Sequence, residues 1–137
     1  MHWEAFSDAS RQAFTTAEFR ISPQSDRMGY RLAGPALRMD TPRQMLSEAV
    51  CFGTVQVPAG GEAIILMADR QTTGGYPKIA QVATVDLPTL AQAAPGQTLR
   101  FQQIGMEDAQ RLDSERERAF AQLHEALAPL RAVLASA

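Results

Sequence analysis

Two apolar runs on either side of a polar segment constrain the fold of this chain most strongly. Residues 63–68 (AIILMA) and 79–85 (IAQVATV) each have the length of a strand, and the ten residues 69–78 (DRQTTGGYPK) connect them. Because residues 63–68 are apolar throughout and do not alternate, they predict a central strand buried on both faces. The pattern therefore predicts a β-rich core with a polar, glycine-containing loop between two strands.

Composition and charge exclude several classes of protein. With 137 residues and 45% hydrophobic content, the chain suits one domain with a substantial core. A net charge of −2 gives no indication of a nucleic-acid partner. No apolar run approaches the roughly 18 residues that a membrane span needs, and no signal-peptide pattern opens the sequence, so we expect no membrane partner and a cytoplasmic location. The single Cys51 excludes an internal disulfide, and its neighbours Val50 and Phe52 predict a buried thiol.

The remaining pattern consists of short extended segments separated by glycine- and proline-containing turns. Besides the two runs above, strands are predicted at residues 17–22, 28–32, 54–58 and 98–104, and short helices at 1–15 and 86–93. In the second helix, Asp86 is the predicted N-cap and Pro88 lies in the first turn. Many short strands with such turns favour a barrel or a sandwich.

The C-terminal segment, from Met106 to about residue 134, predicts one long helix. Its apolar side chains recur at steps typical of one helix face, namely Leu112, Phe120, Leu123, Leu127, Leu130 and Leu134. Pro129 predicts a kink or an end near Glu125. The sequence thus divides into a lobe, residues 1–105, and a helical extension, residues 106–137, whose apolar face packs on the lobe; an interface with a partner helix is the alternative. His124, without ligands at metal-binding spacing, is predicted on the surface.

Two polar loops are the candidate sites. Gly74 and Gly75 permit positive φ and close backbone approach, and N–H groups in such a turn can form a nest for an anion. Side-chain donors and acceptors flank the two glycines, namely Asp69, Arg70, Gln71, Thr72, Thr73, Tyr76 and Lys78. The second loop, residues 25–30, contains Arg27 and Tyr30. A plain hairpin turn remains the alternative for the first loop, and a solvated hairpin with a packed tyrosine for the second.

Common catalytic motifs are missing from the sequence. Neither a G-x-S-x-G elbow nor a GxxxxGK[ST] loop occurs, and the two histidines, His2 and His124, stand at opposite ends, so no metal site is expected. If the chain is catalytic, Arg70, Lys78 and backbone N–H groups are the groups suited to stabilise negative charge. Tyr76 or Tyr30 would position a substrate. Gln56, opposite Val55 and Val57 on its strand, faces either a barrel lumen or water.

Three segments resemble the family of KipA proteins. They are SDRMGYRLAGPAL at 25–37, LSEAVCFGTVQVP at 46–58 and ADRQTTGGYPKIAQVATVDLPTLAQAAPGQTLRF at 68–101. This family is also described as allophanate hydrolase subunit 2, the C subunit of 5-oxoprolinase and the biotin-dependent carboxyltransferase domain of urea carboxylase and urea amidolyase. The chain resembles only the C-terminal half of such proteins. The resemblance implies a cyclophilin-like β-barrel, and it implies the missing N-terminal lobe and a KipI-like subunit as partners.

The resemblance also implies a function and a set of site residues. Some family members act with partner subunits to open 5-oxoproline at the expense of ATP. Others transfer a carboxyl group from carboxybiotin to an amide. The resemblance implies that a partner domain holds the ATP or the carboxybiotin. Arg70, Lys78 and Tyr76 are the implied catalytic residues. The implied substrate-binding residues are Arg27, Tyr30, Gln56, Asp69, Gln71, Thr72, Thr73, Gly74 and Gly75. In this scheme Arg70 and Lys78 bind a carboxylate or phosphate, and Gln56, Gln71 and Thr72 contact an amide- or urea-like substrate. The alternative is a non-catalytic regulatory module that pairs with a KipI-like inhibitor of a sensor kinase.

Overall fold

The computed structural model describes residues 1–41 and 45–130, and it divides into two compact units. The first unit is Met1–Gln103 and the second is Ile104–Ala137. Predictions that concern residues 42–44 and 131–137, including Leu134 in the leucine-rich face, lie outside the described residues.

The first unit contains eight short strands and two helices. A 3-10 turn at Trp3–Ala5 precedes α1, Asp8–Thr16, and a second one at Thr84–Asp86 precedes α2, Leu87–Ala91. The strands are β1 Phe19–Ile21, β2 Gly29–Ala33, β3 Glu48–Ala49, β4 Thr54–Gln56, β5 Ile64–Leu66, β6 Thr73–Gly74, β7 Lys78–Gln81 and β8 Thr98–Leu99. The second unit contains α3, Met106–Ala126.

Six of these strands form one sheet with the order β7-β4-β5-β2-β1-β8, and β3 pairs with β6 in a separate ribbon. Every described pairing is antiparallel. The predicted central position of residues 63–68 is confirmed, because β5 lies between β4 and β2. The mostly-β prediction holds, whereas the pairings among the described strands leave β7 and β8 at the two edges and do not show a closed barrel.

Apolar packing fixes one face of this sheet. Val55, Ile65 and Ile79 are almost fully buried, and α1 adds Phe14, whose ring stacks on Phe101 with centroids 4.2 Å apart. Burying such a side chain contributes about 1.5–3 kcal/mol. All the buried apolar side chains found among the described residues belong to the first unit, so the sheet that positions the site has its own core.

Four predictions for the first unit need correction. Cys51 is exposed rather than buried, because it lies in the turn before β4, where Gly53 has a positive φ of 84°. The strand predicted at 79–85 ends at Gln81, and the one at 98–104 is reduced to Thr98–Leu99. Pro88 lies in the first turn of α2 as predicted, but Asp86 makes no side-chain capping hydrogen bond.

The second unit confirms the predicted effect of Pro129, since α3 ends at Ala126. Ion pairs within one helical turn support α3, such as Arg111 with Glu115 at 3.0 Å. Phe120, Leu123 and Leu127 are exposed, and packing of this face on the first unit stays a prediction. His124 is exposed, as predicted. No helix within the described residues is long and apolar enough to cross a membrane.

Candidate functional site

The polar segment 69–78 contributes one strand of the β3–β6 ribbon. Glu48 pairs with Gly74 and Ala49 with Thr73. The Val50 N–H extends this pairing by donating to the Thr72 carbonyl at 3.0 Å. The segment is therefore neither an open loop nor a plain hairpin turn. Sequence patterns missed β3 and β6 because two residues are too few to show any periodicity.

Gln56 lies at the end of β4 against this ribbon. Its side chain is in the interior, with only 2% of the residue exposed. Gly74 passes so close that a Cβ added there would lie 2.4 Å from Gln56 Nε2. Within the described part of the chain, Nε2 is buried and has no hydrogen-bond acceptor. The close backbone approach predicted for Gly74 is thus observed, and the atom that it approaches is an unsatisfied donor.

The anion nest expected at Gly74 and Gly75 does not form. Positive φ occurs among the described glycines at Gly53, Gly61 and Gly96, and not at either member of the pair. Gly74 is extended because it belongs to β6. A Cβ on Gly75 would meet its nearest neighbour, Ser47 Oγ, at 3.7 Å, which is an ordinary contact.

Lys78 begins β7, in register with Gln56 of β4, at a point where the pairing is bulged. Its ammonium lies 2.5 Å from a Glu48 carboxylate oxygen, and it also donates to the Ala49 carbonyl at 3.4 Å. The Lys78 side chain is 12% exposed and that of Glu48 is 47% exposed. The hydrogen bond from Lys78, followed by its charge, lowers the pKa of Glu48 against a smaller opposing effect of desolvation.

His2 completes this group of polar side chains. Its Nδ1 accepts a hydrogen bond from the Lys78 backbone N–H at 3.0 Å, and its Nε2 lies 3.8 Å from the Glu48 carboxylate. We call His2, Glu48, Gln56, Gly74 and Lys78 the Gln56–Lys78 cluster. Sequence reasoning included Gln56, Gly74 and Lys78 but not His2 or Glu48, because the contacts of these two with Lys78 join segments that are distant in the sequence.

A second pair of predicted residues meets at the other end of β5. Arg27 Nε lies 2.8 Å from an Asp69 carboxylate oxygen, and the Asp69 N–H donates to the Arg27 carbonyl at 2.9 Å. Gln56 is in register with Ile64, the first residue of β5, whereas Asp69 follows its last residue, Leu66. The predicted site residues therefore divide between two ends of one strand.

The other predicted residues have varied surroundings. Gln71, Thr72, Thr73 and Tyr76 are exposed. Arg70 Nε is buried without a partner in the described residues, and its Nη1 donates a long hydrogen bond to the Ala68 carbonyl at 3.4 Å. The Tyr30 hydroxyl donates to the Ala93 carbonyl at 3.0 Å and so ties β2 to the segment after α2.

The Gln56–Lys78 cluster combines an amide donor with an ammonium on neighbouring strands. Such a pair suits a ligand with a carbonyl oxygen at one end and negative charge at the other. The described residues contain no group of three or more His, Cys, Asp or Glu side chains arranged to hold a metal ion.

Residues 1–103 match the family model described as carboxyltransferase domain, subdomain A and B. The C subunit of 5-oxoprolinase from Haemophilus influenzae (strain Rd) is 46% identical over 115 residues, covering 84% of this chain and 37% of that protein. The protein of the same name from Escherichia coli (strain K12) is 44% identical over 121 residues, covering 88% and 39%. The chain thus spans less than two-fifths of the length of these curated relatives.

Solved structures with a similar fold include TTHA0988 and a urea amidolyase. TTHA0988 is 37% identical with a TM-score of 0.62, over 72% of this chain and 19% of that one. The Kluyveromyces lactis urea amidolyase has a TM-score of 0.78 over 85% of this chain and 8% of that one. Because its identity is only 22%, this second likeness shows a shared fold alone.

Proposed function

Because the chain belongs to the KipA-like family of carboxyltransferase domains, subdomains A and B, we propose that its first unit is the C-terminal part of a 5-oxoprolinase subunit. In this proposal the unit acts in the cytoplasm on 5-oxoproline, together with the missing N-terminal lobe and a KipI-like partner. Identities of 46% and 44% to two 5-oxoprolinase C subunits support the choice of substrate. The proposal includes a cyclophilin-like barrel in the assembled protein.

The unsatisfied Nε2 of Gln56 is the observation on which the assignment of the site depends. A buried donor without an acceptor costs about 1–3 kcal/mol, and native proteins contain few of them. A ligand carbonyl would supply the acceptor, and the lactam of 5-oxoproline has one. A fixed donor at this position would also stabilise the negative charge that develops on the carbonyl oxygen when the ring is opened.

The Gln56–Lys78 cluster does not fit the phosphates of ATP. A phosphate nest needs backbone N–H groups that converge through a residue with positive φ, and neither Gly74 nor Gly75 has one. We therefore assign ATP to the partner subunits.

Carboxyl transfer from carboxybiotin held by a partner is the second candidate reaction. The match of residues 1–103 to a carboxyltransferase domain favours it. An amide acceptor in that reaction would present the same carbonyl to Gln56. A non-catalytic role with a KipI-like inhibitor of a sensor kinase is the remaining proposal.

A chimera tests the proposed function. In the chimera, residues 1–103 replace the matching segment of the Escherichia coli 5-oxoprolinase C subunit. The chimera is assayed with the Escherichia coli partner subunits for ATP-dependent formation of glutamate. We expect activity that falls at least tenfold, about 1.4 kcal/mol, on Arg70→Ala or Lys78→Met. The matched control is Arg20→Ala, at an exposed position of β1.

Two results would count against this proposal. A chimera that assembles with its partners but forms no glutamate contradicts the 5-oxoprolinase assignment, and activity on a biotin-dependent assay would then select the second reaction. Activity of Arg70→Ala within about threefold of the parent, roughly 0.7 kcal/mol, removes Arg70 from the catalytic residues.

A further inference from the structure

Lys78 and Gln56 stand side by side at the proposed site. They are register partners on antiparallel strands, at the bulge in this pairing. An ammonium and an amide on paired residues are suited to contact two ends of one small molecule. Lys78 is also the only lysine in the sequence, so no second lysine competes for the same role.

In the structure, the Lys78 ammonium already forms an ion pair with a carboxylate of the same chain. Glu48 Oε2 lies 2.5 Å from Lys78 Nζ. The two partners differ in their access to water, since the Glu48 side chain is 47% exposed and that of Lys78 only 12%. Ion pairs with a half-exposed member contribute little net stability, so Glu48 is readily exchanged and returns to water when released.

The ribbon connects this ion pair to the unsatisfied donor. Glu48 pairs with Gly74 in the β3–β6 ribbon, and Gly74 is the residue that covers Gln56 Nε2. The ion pair and the unsatisfied donor therefore adjoin the two residues of one strand pairing.

We propose that Glu48 takes the place of a substrate carboxylate, and that a ligand with both a carboxylate and an amide carbonyl displaces it. The ligand carboxylate binds the Lys78 ammonium, and the ligand carbonyl accepts the hydrogen bond that Gln56 Nε2 lacks. This inference rests on the proposed function and assigns Glu48 as a residue that determines specificity. A lactam without a carboxylate has no means of displacing Glu48.

Binding of 5-oxoproline and of pyrrolidone, the same lactam without the carboxylate, tests this inference in the 137-residue chain. Nitrogen-15 lysine labelling gives one side-chain ammonium resonance, that of Lys78. The variant is Glu48→Gln, which keeps the size of the side chain and removes the competing charge. The matched control is Glu18→Gln, since Glu18 is 49% exposed and pairs with Arg100 at 3.3 Å next to the opposite edge of the sheet.

We expect Glu48→Gln to bind 5-oxoproline about fivefold more tightly than the parent chain, the factor that corresponds to a weak ion pair. Glu18→Gln should bind like the parent, and pyrrolidone should bind equally to all three proteins. The Lys78 ammonium resonance should move with 5-oxoproline and not with pyrrolidone. Lys78→Met should abolish the preference for 5-oxoproline over pyrrolidone.

The inference is overturned if Glu48→Gln binds 5-oxoproline no more tightly than the parent chain does. It is also overturned if Glu48→Gln gains as much affinity for pyrrolidone as for 5-oxoproline. Absence of 5-oxoproline binding in every variant also overturns it, while an active chimera would leave the proposed function intact. An inactive chimera combined with the fivefold gain contradicts the proposed function and supports the exchange of carboxylates.

Discussion

At the level of single residues, Gln56 combines burial with an unmet hydrogen-bonding requirement. Gln56 is 2% exposed, and its Nε2 has no acceptor in the described part of the chain. A polar side chain retained at this cost is typical of a site where function opposes stability. Alternation of apolar and polar residues placed Gln56 opposite Val55 and Val57, but sequence patterns alone did not decide between lumen and water.

Gln56→Met should therefore stabilise the first unit. Methionine has a similar shape and no donor to satisfy, so we expect a gain of about 1 kcal/mol in the free energy of unfolding. Urea denaturation measures the change. Gln12→Met, at an exposed position of α1, is the control and should stay within about 0.5 kcal/mol of the parent. A loss of stability in Gln56→Met would show that Nε2 has a partner in solution.

Gly74 and Gly75 should respond very differently to alanine. A Cβ on Gly74 would lie 2.4 Å from Gln56 Nε2, whereas one on Gly75 meets its nearest atom at 3.7 Å. The clashing atom ends a flexible side chain, so the Gln56 amide can be displaced. Because Gln56 is buried and has little room to move, we expect Gly74→Ala to cost about 1–3 kcal/mol. Gly75→Ala should have little effect on stability. Equal free energies of unfolding for the two variants, measured in urea, would contradict the close approach at Gly74.

At the level of elements, the long patterns predicted the structure better than the short ones. The apolar run at 63–68 gave the central strand β5, and Pro129 correctly indicated the end of α3. The β3–β6 ribbon was not predicted, because each of its strands has only two residues and the strand pairing joins segments that are distant in the sequence. The Lys78–Glu48 contact depends on that pairing, so it could not be predicted from sequence.

The ion pair between Lys78 and Glu48 beside this ribbon should depend on pH. Lys78 lowers the pKa of Glu48 in the folded protein below its ordinary value of 4.5. The stabilisation is therefore complete above that value and is lost as the pH falls through the lowered pKa of the folded state. We expect a difference in urea midpoint between the parent and Glu48→Gln well above pH 4.5, and we expect this difference to vanish in more acidic solution.

The control for this pH dependence is the same comparison in a Lys78→Met background. Without the ammonium, the main cause of the lowered pKa of Glu48 is removed. In this background, the effect of Glu48→Gln on the urea midpoint should no longer show the loss in acidic solution that the ion pair causes. In the chain that retains Lys78, an effect of Glu48→Gln that persists unchanged to the most acidic solutions would contradict the pairing of Glu48 with Lys78.

At the level of the whole molecule, the two units differ in their burial. The first unit, Met1–Gln103, contains all the buried apolar side chains found among the described residues, and α3 has no buried residue. The family model matches the same span, residues 1–103. The change to a helical spacing of leucines predicted a division of the chain at residue 105.

A chain truncated after Gln103 should therefore fold on its own. We expect its melting temperature to lie within about 2 °C of that of the full chain, because a loss of 1 kcal/mol would lower it by about 4–8 °C in a domain of this size. Differential scanning calorimetry of the two chains measures this. A fall of more than about 5 °C would instead support the prediction that the leucine-rich face packs on the lobe.

A nuclear magnetic resonance titration shows whether Gln56 and the ribbon against it form the proposed site for an amide carbonyl. The chain is titrated with 5-oxoproline, ATP and biocytin, following the Gly74 and Gly75 amides and the Gln56 side-chain amide. We expect 5-oxoproline to shift the Gly74 and Gln56 signals, and the Gly74 shift to disappear in Gln56→Met. Shifts of Gly74 that persist unchanged in Gln56→Met, or that only ATP produces, would contradict the proposed site.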